Sequence, residues 1–187
     1  MSMREKFVTR FIYEIKTDMA IYREYPHYPP HLFKPEAIYL ITGSTVRKQP
    51  YLDTDEKKDF FCKTLFKQAS RLNWKLEAWA CMTNHYHFVA QAPQNVETMT
   101  TLIRSIHSLS ARKINEIDNQ SGRRVWWNYW DTCIRNEQEY LSMLKYVHEN
   151  PIKHHLEMKP EDYSFCSYRW FMAMSETDFR QKILSRS

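Results

Sequence analysis

The sequence predicts an α+β fold: a split βαβ unit with a central antiparallel sheet, helices packed on one face, and one additional C-terminal helix. Three observations carry that expectation. Short runs of two-residue period alternate along the chain with longer runs of helical period. The core elements read strand, helix, strand, strand, helix, strand, helix, which is the ferredoxin-like order. Glycine is nearly absent, with Gly43 and Gly122 the only two among 187 residues, so no Gly-rich phosphate loop or dinucleotide fingerprint can be built.

Residues 1–35 read as a lead-in segment. Residues 24–35 (EYPHYPPHLFKP) read as loop, because four prolines fix φ and remove backbone donors. The β-branched and aromatic run 37–42 (AIYLIT) reads as a strand. Thr54 or Asp55 is placed to cap an amphipathic helix in which Phe60, Phe61, Leu65, Phe66, Ala69 and Leu72 recur at helical spacing. Residues 74–82 (WKLEAWACM) and 85–92 (HYHFVAQA) alternate well enough to form an antiparallel hairpin pair. A long helix follows over 93–118, with Met99, Leu102, Ile103, Ile106, Leu109 and Ile114 on one side. Residues 123–136 (RRVWWNYWDTCIRN) read as a long strand or a bent pair. The last assignable helix covers 137–149 and closes at Asn150-Pro151, since proline drives its predecessor out of the α region. Beyond it, DYSFCSYRWF is too irregular to assign. The organisation is one domain over 36–175, between the lead-in and a charged C-terminal tail at 176–187.

Lys and Arg outnumber Asp and Glu by 27 to 22, a formal charge of +5, which suits a polyanionic partner without requiring one. No stretch approaches the roughly 20 apolar residues of a membrane span. The charged start MSMREKFVTRFIYEIKTD lacks the apolar centre of a secretory signal. A cytoplasmic protein with no membrane partner is expected. Cys62, Cys81, Cys133 and Cys166 have no CxxC spacing and are expected as free thiols.

His85 and His87 lie two apart in a strand, so both imidazoles face one side of the sheet, where a pair can chelate one metal ion. Tyr86 and Phe88 then point under the helices. The alternative is two polar residues on the wet face of a half-exposed strand. An HxHxH nucleotidyl-transfer pattern fails at Val89, and an amidohydrolase-type pair needs a longer barrel chain. On the helix over 137–149, Tyr140, Leu141, Leu144, Val147 and His148 gather on the packing side, and Tyr146 falls opposite with Glu139, Ser142 and Asn150. Tyr146 and Asn150 are i,i+4 neighbours. A phenol of pKa about 10 needs a nearby cation or base to act as a nucleophile. A divalent ion held by histidines and the Asn150 amide oxygen would meet that need. The competing reading is an ordinary amphipathic surface tyrosine.

The segments MTNHYHFVA, WWNYWDTCIRNEQEYLSMLKYVHENPIK and PEDYSFCSYRWF together resemble the single-tyrosine HUH transposases of bacterial insertion sequences. The closest likeness is to their domesticated relatives, the REP-associated tyrosine transposases. It runs from about Tyr28 to Phe171. The resemblance implies a ferredoxin-like fold with the tyrosine on a helix facing the histidine strand. It implies attack by Tyr146 on single-stranded DNA, leaving a 5′-phosphotyrosine link and a free 3′-OH, so that cleavage and rejoining need no ATP. His85, His87 and Asn150 carry over as ligands of Mg2+ or Mn2+. The implied partner is hairpin-bearing single-stranded DNA, a REP-like element or an insertion-sequence end, met by a monomer or a homodimer. Thr83 departs from the pattern, standing where many relatives have proline, and residues 1–27 have no counterpart in it.

Candidate DNA contacts are Arg104, Arg112 and Lys113 on the second helix, and Arg123 and Arg124 before the aromatic strand; each could equally be solvated charge. Trp126, Trp127, Tyr129 and Trp130 are divided between core packing and stacking on unpaired bases. Two rival functions remain open: a non-catalytic DNA hairpin-binding protein that kept the fold, and a metal phosphoesterase using water as its nucleophile.

Overall fold

The computed structural model describes residues 21–25 and 28–184. Strands β1 (Ile21–Tyr25) and β2 (Tyr28–Phe33) form a two-stranded antiparallel ribbon. The main sheet consists of β3 (Ile38–Thr45), β4 (Lys75–Cys81), β5 (His85–Gln91) and β6 (Trp126–Ile134), in the order β4-β5-β3-β6 with every pairing antiparallel. β3 and β4 are thus parallel strands split by β5, the expected ferredoxin-like topology.

The helices α1 (Asp55–Arg71) and α2 (Thr98–Ile117) cover one face of the sheet. Between them and the sheet, Tyr39, Ile41, Phe61, Leu65, Tyr86, Phe88, Leu102 and Ile106 form the larger core. On the other face lies α3 (Glu137–Lys153), joined by the short helices α4 (Tyr168–Met174) and α5 (Thr177–Leu184) around Val89, Leu141, Leu144, Val147 and Phe171. Thr54 is the cap of α1, its side chain accepting from the Lys57 amide. Asn136 caps α3, its Oδ1 accepting from the Glu139 amide at 2.9 Å.

Gly43 fills a specific need in β3. A Cβ at this position would run into the Tyr86 ring, which crosses over it from β5. Tyr86 is fully buried there, and its hydroxyl meets His107 Nε2 at 2.9 Å. Among the described residues no helix is long and apolar enough to cross a membrane, and the four cysteines are free.

Four expectations are corrected. Residues 28–33, read as loop, pair as a strand; Pro29 and Pro30 fall where the register with β1 shifts, a position at which missing donors break no ladder. The helix carrying Tyr146 does not close at Asn150-Pro151 but runs to Lys153 with Pro151 inside it. The missing Pro151 donor falls in the final turn, where few further bonds depend on it. Asn150 does not lie on an outward face opposite the apolar stripe: it is buried on the flank of that stripe, beside half-buried Tyr146. The tail beyond 176, left without an element, contains α5 over Thr177–Leu184.

Candidate active site

The pleat of β5 directs Tyr86 and Phe88 into the larger core and His85 and His87 to the opposite face. There α3 covers the pair, leaving His85 6% and His87 5% exposed. Their rings meet edge to face with centroids 5.1 Å apart.

Each imidazole is held through Nδ1 from the sheet side. His85 Nδ1 lies 2.7 Å from Asn84 Oδ1, and His87 Nδ1 lies 2.7 Å from Thr42 Oγ1 on the neighbouring strand. The Asn84 amide is itself oriented, since its Nδ2 donates to the Lys48 carbonyl at 3.1 Å. That leaves Oδ1 as the acceptor, so His85 carries its proton on Nδ1 and presents the Nε2 lone pair to α3. His85 Nε2 faces Asn150 Oδ1 at 3.2 Å, and His87 Nε2 faces the Tyr146 hydroxyl at 3.3 Å.

A lysine and a third imidazole stand beside the pair. Lys153 Nζ sits 5.2 Å from the Tyr146 ring centroid while pairing with Glu149 at 3.4 Å. The His154 ring stands edge-on to His85 at 4.5 Å. Burial, then His154, pushes the pKa of His85 down to about 4, against the Asn150 amide oxygen, which would accept from the protonated ring. Burial, then His85 and His154, pushes His87 down to about 3. Both rings are therefore neutral at pH 7, the protonation state in which imidazole binds metals. Among the described residues no three His, Cys, Asp or Glu side chains gather as a metal group; the polar side chain against the histidine pair is the Asn150 amide.

Sequence reasoning selected His85, His87, Tyr146 and Asn150, and these four side chains meet in one place. The basic residues are dispersed. Arg104 and Arg112 are exposed on α2, across the sheet from the histidines. Lys113 pairs with Glu116 at 2.9 Å. Arg123 is bound to Asp118 at 2.5 Å and Asn115 at 2.9 Å, with its guanidinium 4.4 Å above Tyr51. Arg124 lies 4.5 Å over the Trp127 ring. Thr42, Lys48, Lys153 and His154 were missed. The last two continue the Tyr146–Asn150 ridge at i+7 and i+8, a spacing hidden by ending the helix at Pro151. Thr42 and Lys48 come close only through strand pairing and a turn, which no local pattern signals.

Residues 34–150, a span that includes all four site residues, match the family model described as transposase IS200 like. The chain is 22% identical over 97 residues to the REP-associated tyrosine transposase of Escherichia coli strain K12, covering 51% of this chain and 54% of that protein. It thus spans about half the length of that curated relative. The structure of a REP-associated tyrosine transposase bound to a REP hairpin aligns with a TM-score of 0.64 and 18% identity, covering 81% of this chain and 86% of that one. At that identity the likeness is one of fold.

Proposed function

The chain belongs to the IS200-like transposase family, and from that membership we propose that it is a DNA strand transferase acting on hairpin-bearing single-stranded DNA through Tyr146. The observation that carries the reading is the convergence of Tyr146 and Asn150, one turn apart on α3, upon the paired histidines of β5. The hairpin-bound relative supports hairpin DNA as the partner. Tyr146 meets His87 of its own chain, which favours attack within one subunit.

The donor set fits a hard divalent ion, Mg2+ or Mn2+, at His85, His87 and Asn150. His85 Nε2 and Asn150 Oδ1 face each other as two acceptors at 3.2 Å, an arrangement relieved by a cation between them. Adjacent ligands of a six-coordinate ion with bonds of about 2.1 Å stand about 3.0 Å apart, close to that spacing. Such an ion would supply charge neutralisation at the scissile phosphate.

The chain's own residues do the rest. Asn84 and Thr42 fix the two imidazoles, and α3 sets the tyrosine oxygen against them. Tyr146 Oη attacks phosphorus, the bond from phosphorus to O3′ breaks, and the phenolic proton passes in net terms to O3′, which leaves as a hydroxyl. The resulting 5′-phosphotyrosine is open to attack by another 3′-OH, which reverses the step and restores the phenol. Lys153, its Nζ 5.2 Å from the Tyr146 ring centroid, is placed to attract a bound phosphate.

The test is incubation with end-labelled hairpin DNA carrying unpaired extensions, with Mg2+ or Mn2+. A covalent protein–DNA adduct is expected, lost in Tyr146→Phe. Cleavage that survives this substitution transfers the nucleophile to water. Binding with no cleavage by the wild type leaves a hairpin-binding protein without catalysis.

A further inference from the structure

The register of β3 sets Thr42 opposite His87 on one side and opposite Trp130 on the other. Directly opposed residues of antiparallel strands point to the same face of the sheet. His87, Thr42 and Trp130 therefore form one row on the face where Tyr146 stands. At about 4.8 Å per strand spacing, the Trp130 backbone is about 10 Å from that of His87. α3 packs over β4 and β5 at one end of this row, and β6 is the outer strand at the other. The Trp130 indole there is 44% exposed.

An indole so exposed on an ordered strand invites comparison with the other exposed aromatics. Trp127 has its ring under the Arg124 guanidinium, and Phe66 and Trp170 both pack against Trp79 at the far edge of the sheet. Among the described residues no ring or cation stacks on Trp130. Lys48, whose charge is felt at both His85 and His87, and Lys153 lie near the same face. A flat apolar surface beside cations, one short step from a phosphate-reacting centre, suits an unpaired nucleotide: its base stacks while the backbone follows the positive charge.

We propose that the Trp130 indole is the stacking platform for an unpaired DNA base flanking the scissile phosphate. The inference rests on the strand-transferase reading and adds to it the residue that seats the single-stranded part of the substrate. Stacking of this kind is tolerant of sequence, since every base has a π-face. Trp130 would thus favour unpaired over paired DNA without choosing among bases.

The test uses fluorescence anisotropy in the Tyr146→Phe background, so that no cleavage intervenes. The probes are a labelled hairpin with mixed-sequence unpaired extensions on both ends, the same hairpin with abasic extensions, and the blunt hairpin. With Trp130 present, the base-bearing extensions should bind about tenfold tighter than the abasic ones. Trp130→Ala should abolish that difference and leave the abasic and blunt hairpins unchanged, while Trp130→Phe keeps most of it. The inference is overturned if base-bearing and abasic extensions bind alike with Trp130 in place. It is equally overturned if Trp130→Ala weakens all three probes to the same degree, or none of them. A protein that binds no hairpin probe at all removes the strand-transferase reading itself, and the inference with it.

Discussion

Replacing Thr42 with valine removes one hydroxyl from a site where shape is otherwise kept. That hydroxyl is 2.7 Å from His87 Nδ1, and it fixes the ring with Nε2 toward Tyr146. Without it the imidazole, 5% exposed, keeps a buried nitrogen with no partner from β3, and the ring is free to rotate or change tautomer. Loss of an outer hydrogen bond to a metal-ligating histidine typically weakens metal binding 10- to 100-fold, about 1.4–2.7 kcal/mol. The unpaired nitrogen adds about 1–3 kcal/mol of destabilisation. The assay needs no DNA: titrate Mn2+ and follow the free-ion signal by electron paramagnetic resonance. Thr42→Val should raise the dissociation constant 10- to 100-fold, Thr42→Ser should stay within a few-fold of wild type, and His87→Ala should lose the site. If Thr42→Val binds Mn2+ like the wild type while His87→Ala does not, the orienting role is refuted. If His87→Ala also binds normally, the histidine pair is not where the ion sits.

Gly43→Ala should cost about 1–3 kcal/mol in urea unfolding, because the new methyl displaces the buried Tyr86 ring; an unchanged midpoint would mean that the ring yields freely. Stability in chelator should fall with pH below about 6.5. Burial lowers His85 to about 4 and His87 and His107 to about 3. Between those values and 6.5 the unfolded chain therefore holds more protons, so stability rises with pH and is lost on acidification. By pH 5 each ring contributes up to about 2 kcal/mol of that loss. Equal urea midpoints at pH 7 and pH 5 would contradict it.

The main sheet and the first two helices were legible because their apolar periods are long and unbroken. The segment from Asp55 to Arg71, for example, places Phe61, Leu65 and Ala69 on one buried side. The shared face of His85 and His87 was legible for a related reason: i,i+2 spacing on a strand leaves no choice of face. The place of Asn150 was harder. At about 100° per residue Asn150 falls between Tyr146 and the apolar stripe, so a wheel cannot say whether it is core or surface; burial against His85 decided it. Pro151 was misread because proline is a stop signal on average, whereas in a last turn it removes little. The supports at Thr42 and Lys48 depend on pairings between residues some forty positions apart, and those follow from topology rather than from local pattern.

The alternation along β5 has a consequence for how the candidate site is assembled during folding. Tyr86 and Phe88 anchor the larger core, while His85 and His87 face Asn150 and Tyr146 from the reverse side. A slip of one residue in pairing would bring both imidazoles inward and expel two aromatic rings, so such a state forfeits most of its cohesion together with its reactivity. Correct pairing and competence are therefore tested by the same strand at the same moment. A sheet paired out of register therefore cannot persist with the histidine pair in place, which guards against a half-formed site on an otherwise folded chain.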